Sequence, residues 1–406
     1  MKRLFVLVLA LAVPFHGANA ADTKRSLHEL ACAAVASDPG ESATAIAALR
    51  EAGPAGLQVL LETHAAAIEH KHANPTLDDA QWQRVSAALD AVARQRDAWA
   101  SGLYWFTDFD RAKAEARATG KPILSLRLLG NLDEEFSCAN SRFFRTVLYP
   151  NAEVASLLRD QFVLYWKSVR PVPRVTIDFG DGRVLQRTIT GNSIHYVLDA
   201  DGHIIDALPG LYGPKAFLAA LHSAGQAATT SAKLDASQRG KFLRDYHSQH
   251  IADMERLWHD DAEKAGVKEV DPTQWDDAAW KMVGTWHGED AKLDRASIEL
   301  MRAKSPDAMT ATRIAASKAV VETPLMREVR ALERSVAEDT VRNEYTLHHA
   351  IHEWLARGMA TDNADAFNER VYAELFLSPL SDPWLGLAPQ DAYSALAGAG
   401  QKVANK

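Results

Sequence analysis

Every strand-like run in the chain falls between Ile123 and Ile205, and the stretches on either side carry helical spacing alone. Within that window helices and strands alternate. Thr107 to Ala118 reads as a helix with Thr107 as N-cap, and Gly120-Lys121-Pro122 ends it before the apolar run Ile123 to Leu129. Helical spacing returns over Ser141 to Tyr149 and Val154 to Asp160, and Phe162 to Trp166 is a second strand. Val175 to Phe179 alternates, turns at Gly180-Asp181-Gly182 and comes back through Val184 to Ile189 as a hairpin. Ile194 to Leu198 meets Ile204-Ile205 across Asp199-Ala200-Asp201-Gly202 in another, and Pro214 to Ala224 closes the segment with a helix. Elements in this order imply an α/β sandwich.

The flanks read differently. From Ser26 to about Ala98 the chain is rich in Ala and Leu, broken at Asp38-Pro39-Gly40, Gly53-Pro54-Ala55-Gly56 and Asn74-Pro75, which predicts three or four short helices. Beyond Thr229 the helical patterns are Ser237 to Ala265, Trp275 to Val283, Ala291 to Ala303 and Pro324 to Arg357. The last has Thr323 as N-cap, Pro324 at the first helical position and Gly358 just past its end. Val371 to Phe376 leads into an aromatic loop, Ser381 to Leu387, apolar enough to dock on another part of the molecule. The expected organisation is a leader over 1–20, an N-terminal helical region over 21–102, the α/β segment over 103–228 and a C-terminal α-helical domain over 229–406.

The leader expectation rests on the apolar run Leu4 to Phe15, preceded by Lys2 and Arg3 and followed by Ala18-Asn19-Ala20, the pattern of a cleaved secretory signal. It implies a periplasmic or secreted protein with no transmembrane anchor after cleavage. Hydrophobic residues at 47% and charged residues at 24% are ordinary globular usage and exclude disorder as the dominant state. The 45 basic and 53 acidic side chains give a net charge of −8, so nucleic acid is not an expected partner. Only two cysteines are present, Cys32 and Cys138, and in an oxidising compartment a disulfide between them can persist. Absence of Cys-x-x-Cys-His removes covalent haem attachment.

The middle segment carries an ordered set of further features: Gly120-Lys121-Pro122-Ile123-Leu124, then Cys138-Ala139-Asn140-Ser141, Glu153-Val154, Phe162-Val163-Leu164, Gly191-Asn192-Ser193-Ile194 and Asp199-Ala200-Asp201-Gly202. In this order they resemble the thioredoxin-like superfamily, in its secreted branch, over about Leu103 to Ala224. The resemblance implies a thioredoxin-like sandwich flanked by N-terminal and C-terminal α-helical regions. It also implies that Cys138 is the attacking cysteine at a helix start. Ser141 stands where the family has its second cysteine, a Cys-x-x-Ser variant, and Ser193 stands where it has the cis-proline of the substrate loop. Asn192 and Ser193 would then face the substrate.

A cysteine at a helix N-terminus meets unpaired N–H groups and the positive end of the macrodipole, which favour thiolate. Arg142 and Arg145 add to that effect, while Glu134 and Glu135 oppose it. Ser141 cannot resolve a mixed disulfide, which leaves Cys138 a monothiol waiting for an external thiol or for Cys32. The alternative is that Cys138 is a buried small hydrophobe or half of an inert Cys32–Cys138 disulfide. Two functions follow: monothiol thiol–disulfide exchange with protein thiols or disulfides, or a non-enzymatic scaffold that binds an unidentified protein partner through a degenerate thioredoxin-like fold. Peroxidase chemistry needs Thr three residues before the cysteine, where Glu135 stands. His195 reads as a satisfied core or rim histidine.

No cofactor is expected. Glu344, His348 and His352, at i, i+4 and i+8 with His349 beside them, share a helix face and could meet a metal. His-Glu-x-x-His is lacking and the remaining ligand would have to come from elsewhere, so the reading is of no obligatory metal. Asp339, Asn343 and Glu344 interrupt that helix's apolar stripe, which marks either a polar core network or a solvated stretch. Trp258-His259 and Trp286-His287 read as packing residues.

Overall fold

The computed structural model describes residues 25–74, 76–189, 191–268, 271–304, 318–359, 362–385, 387 and 395–396. The leader expectation falls on 1–20, outside the described residues. Among the described residues no helix is long and apolar enough to cross a membrane.

Among the described residues five α-helices lie in the N-terminal region: α1 (Leu27–Ala33), α2 (Pro39–Glu51), α3 (Pro54–Thr63), α4 (Ala65–Ala73) and α5 (Ala80–Ala93). That exceeds the three or four expected because His64 breaks what reads as one pattern into α3 and α4. Helix α6 (Phe109–Thr119) is capped by Asp108, whose side chain accepts from Arg111 N–H at 2.9 Å, so the N-cap is one residue past Thr107. Gly120 takes a left-handed C-cap at φ 71° and releases the chain into β1 (Ile123–Leu129).

There follow α7 (Ala139–Phe143), running into a π-helical turn to Leu148, α8 (Ala152–Gln161), β2 (Val163–Arg170), β3 (Arg174–Asp178), β4 (Val184–Thr188), β5 (Ser193–Leu198), β6 (Ile204–Pro209) and α9 (Pro214–Ser231). The main sheet has the order β2-β1-β5-β6. β1 runs parallel to β2 and antiparallel to β5, and β5 is antiparallel to β6. The β3–β4 hairpin is a separate two-stranded sheet.

All seven residues of β1 are buried, as are all of β5 and β6, because helices cover both sheet faces. One face, with Leu124, Leu126, Leu128, Leu164, Trp166 and Val197, packs under α8 and α9. The other, with Val163, Tyr165, Ile194, Tyr196 and Leu198, packs on the N-terminal helices. Arg127 is buried on that second face, where it donates to Ser125 Oγ at 2.5 Å and to Asp365 Oδ1 at 3.1 Å.

The C-terminal helices are α10 (Ala236–Ala265), α11 (Asp277–Trp286), α12 (Arg295–Lys304), α13 (Lys318–Arg342), α14 (His349–Ala356) and α15 (Ala364–Arg370). α13 is already helical at Lys318, so Thr323 and Pro324 lie inside a helix rather than at its start. A π-helical turn, Asn343–His348, joins α13 to α14 without a break. Val329, Val336 and Ala337 of α13 belong to the core of the first face, and Ile351 and Leu355 of α14 to that of the second. One helix therefore passes from face to face around the free edge of β6, and the π turn packs against that strand. The aromatic loop docks as expected: Arg170 donates to the carbonyls of Leu380, Asp382 and Pro383, and Leu385 is buried.

Gly210, just after β6, sets how closely the helix approaches. Its φ is +80°, and a Cβ there would lie 2.5 Å from Asn343 Nδ2. Asn343 in turn donates to Leu211 O at 2.8 Å, and Gly213 N–H donates to Thr340 Oγ1 at 2.8 Å. Gly210→Ala combines left-handed strain with overpacking and is expected to cost about 2–4 kcal/mol in denaturant unfolding. Adding Asn343→Ala should recover the clash and leave the backbone strain.

Candidate functional site

Cys138 is the N-cap of α7 and lies past the C-terminal end of β1, with its N–H donating to Leu129 O at 3.3 Å. Its Sγ accepts from the backbone N–H of Ser141 at 3.4 Å. The Ser141 hydroxyl is buried and has no partner, so position 141 supports the sulfur through its main chain. Asn140 Nδ2 donates to Ser193 Oγ at 2.9 Å, which brings the Asn192–Ser193 segment to the same helix start. Asn192 is turned toward the C-terminal segment, donating to Ser378 Oγ at 2.8 Å and accepting at its carbonyl from Tyr372 at 2.9 Å.

The thiol itself is fully buried, and burial pushes it above its ordinary pKa. Arg142 is committed to Ser137 O at 2.6 Å and to Thr188 Oγ1 of the β3–β4 hairpin. The hairpin is also tied down by Thr188 Oγ1 donating to Ser137 O at 3.1 Å. Arg145 is paired with Asp97 and donates to Glu135 O. Cys32 is exposed on α1, and both cysteines are free, so the disulfide between them is not formed. His195 bonds Tyr149 OH through Nε2 at 2.8 Å among aromatic rings, and burial lowers its pKa to about 3, that of a neutral core histidine.

A second cluster gathers at the β6 edge. Leu198 pairs with Ile204 and Val197 with Asp206, so Ile205 is the extra residue of a β-bulge. Strict alternation from Ile204 would turn Asp206 to the N-terminal-helix face. The bulge sets it opposite Val197 instead, on the α9 face. Asp206 Oδ1 lies 3.3 Å from His348 Nε2 and 3.9 Å from His352 Nε2. One ligand-type atom from each of the three lies within 4.8 Å of the others, and all three residues are buried.

The outer atom of each group is held. Tyr246 OH of α10 donates to Asp206 Oδ2 at 2.6 Å, Glu344 Oε2 accepts from His348 Nδ1 at 2.9 Å, and His247 Nδ1 meets His352 Nδ1 at 2.8 Å. His250 stacks on His352 with centroids 4.8 Å apart and planes at 3°. His352 Nε2 is buried without a partner. Burial opposes charge throughout. Even so, the imidazoles hold Asp206 well below the usual carboxylate range, and Glu344 with Asp206 raises His348 to about 10.

Glu344, His348 and His352 thus share a face as the spacing predicts, and Asp206 supplies the ligand that the helix lacks. Asp206, Tyr246, His247 and His250 escaped the sequence reading. One signal was present: a lone carboxylate in the apolar run Ile204-Ile205-Asp206-Ala207-Leu208, which a strand buried on both faces tolerates only with partners.

His287 lines a cleft together with Asp206 and His348, bonded to Asp261 Oδ2 at 2.8 Å and 3.5 Å from Asp290 Oδ2. The bond to Asp290 and then that to Asp261 raise its pKa against partial burial. A raised histidine stabilises the fold fully below its unfolded value of about 6.5 and loses that contribution as pH climbs through its folded value. His287→Gln is therefore expected to lower the melting temperature at pH 6, with the difference shrinking by pH 9. A thiol reagent added to the native protein should label Cys32 within minutes and reach Cys138 only on unfolding. Rapid labelling of both in folded protein would restore an accessible Cys138. No family model, curated protein or solved structure matches the chain, and the reading of both sites rests on their own geometry.

Proposed function

We propose that this is a secreted or periplasmic metal-binding protein, in which a thioredoxin-like fold serves as scaffold for a divalent first-row transition ion held by Asp206, His348 and His352. The thioredoxin-like reading is supported by the strand order β2-β1-β5-β6 and by an N-capping cysteine after β1. The metal reading is carried by one observation. The buried, unpartnered Nε2 of His352 lies beside Asp206 Oδ1, to which His348 Nε2 also points, while the far atom of every ligand is already bonded.

A metal about 2.0–2.2 Å from each of three N or O atoms holds them roughly 3–3.6 Å apart. The Asp206–His348 edge has that spacing at 3.3 Å, the Asp206–His352 edge is 3.9 Å, and the three atoms all lie within 4.8 Å of one another. Two imidazoles and one carboxylate suit Zn²⁺ and its neighbours rather than Ca²⁺ or Mg²⁺. Glu344 on His348 and His247 on His352 fix ring orientation and leave Nε2 as the metal-binding atom, as outer-shell partners of ligating histidines do. Monothiol exchange at Cys138 is the weaker reading, since the sulfur is fully buried and the fold around it must open before any disulfide reaches it.

Elemental analysis of untagged protein grown with trace metals is expected to find close to one transition ion per chain. His348→Ala and His352→Ala should each lose it, and a chelator should lower the melting temperature of the wild type but not of these variants. Glu344→Gln should keep the metal with about 10–100-fold weaker affinity. Folded wild-type protein that takes up no Zn²⁺, Co²⁺ or Cu²⁺, or a His348→Ala/His352→Ala double variant that retains its ion, would overturn the reading.

A further inference from the structure

The proposed centre has three protein ligands, one fewer than a closed structural site, and its surroundings differ from side to side. His352 lies fully buried behind the other two. Asp206 and His348 line the inner end of a cleft of about 360 Å³, within the size range of small-molecule sites. The room is made by α9, where Ala216, Ala219 and Ala220 present one small-residue face at i, i+3 and i+4. Leu257 and Val341 add to that apolar wall, while Thr340, Glu344 and Tyr345 bring polar groups to the lining.

The charged groups at the mouth are already matched. Lys215 pairs with Asp290 at 3.1 Å, and His287 lies between Asp261 and Asp290. Neither is left to attract an anion on its own. At the inner end Tyr246 OH is committed to Asp206, and Ser223 Oγ meets His250 Nε2 at 3.0 Å. Counting the three ligands alone, a divalent ion with one carboxylate and two neutral imidazoles keeps one positive charge in excess, while Glu344, which also lines the cleft, bonds the outer nitrogen of His348 at 2.9 Å. A monoanionic ligand on the open side would bring the buried centre to neutrality.

Building on the metal reading, we propose that the cleft takes a small monocarboxylate or hydroxamate whose oxygen head completes the metal's coordination and whose short apolar tail lies along the alanine face of α9. The head is selected by the ion, and the tail by the walls.

The test loads untagged protein with Co²⁺ and follows its visible d–d bands during titration with azide, acetate and hexanoate. All three are expected to shift the bands, with hexanoate half-saturating at a concentration about tenfold below acetate, the worth of two buried methylenes. Ala219→Trp, on an exposed position of α9, should still bind one Co²⁺ and respond to azide yet lose the hexanoate advantage, whereas Ala219→Ser should keep it. Failure of the wild type to take up Co²⁺ brings down the metal reading and this inference together. A cobalt spectrum that no anion moves leaves the metal reading standing and overturns the open coordination side. Hexanoate binding no more tightly than acetate, or an undiminished hexanoate advantage in Ala219→Trp, overturns the apolar tail site.

Discussion

The free edge of β6 is the constraint on which the rest of the C-terminal half depends. An edge strand exposes unpaired N–H and C=O groups and must be covered or blunted. Here the cover is one continuous helical rod, Lys318 to Ala356, whose first half packs on one sheet face and whose last turns pack on the other. Crossing the edge requires the rod to come close at a single point, and Gly210 against Asn343 supplies it. At that point the helix is π rather than α, a local widening that recurs at functional sites. The same crossing that protects the strand delivers His348 and His352 to the one carboxylate the strand carries.

Burying Asp206 is costly unless its charge is matched, and several kcal/mol per ion is the ordinary scale of the penalty. The edge strand itself pays part of this, since the Ala207 N–H donates to Asp206 Oδ1 at 2.8 Å, a donor freed by the lack of a fifth strand. Tyr246 takes the other oxygen. What remains is an arrangement of imidazole nitrogens that hydrogen bonds within the protein do not complete, since the His352 Nε2 is left over. A core built only for stability has little reason to retain that orphan, because apolar residues of the same volume would pack there at no electrostatic cost. The β-bulge at Ile205 points the same way, since it turns the carboxylate toward the histidines at the expense of regular pairing.

The sequence reading captured what depends on local signals. β1 begins and ends where the Gly-Lys-Pro step and the apolar run place it, both hairpins form, and Cys138 caps a helix, because turn chemistry and periodicity act over a few residues. It fell short where distant segments decide. Asp108 displaces Thr107 as cap by a competition one residue wide. α13 is already helical at Lys318, which overrides the Thr-Pro signal. Glu344, His348 and His352 were legible as a set because helical spacing is local, and Asp206 was not, because its partnership spans 142 residues and depends on a bulge that no turn residue announces. The polar interruption at Asp339, Asn343 and Glu344 is half-buried, with Asn343 bonded to Leu211 O and Glu344 to His348.

At Cys138 two effects on a helix-start thiol oppose each other. A helix N-terminus is worth about 0.3–1 kcal/mol to a neighbouring negative charge, less than one pKa unit. Full burial can move a titratable group by 3–5 units in the opposite direction. At Cys138 the second effect wins: the sulfur is fully buried in the core that also holds Leu132 and Phe143, and Arg142 and Arg145 are committed to Ser137, Thr188, Asp97 and Glu135. With position 141 a serine, no second thiol lies within one turn to draw the sulfur into exchange, and the strand end that carries Cys138 is free to act as packing. Across the sheet, at the edge of β6, a buried charge, an imidazole nitrogen without a hydrogen bond and an open cleft occur together.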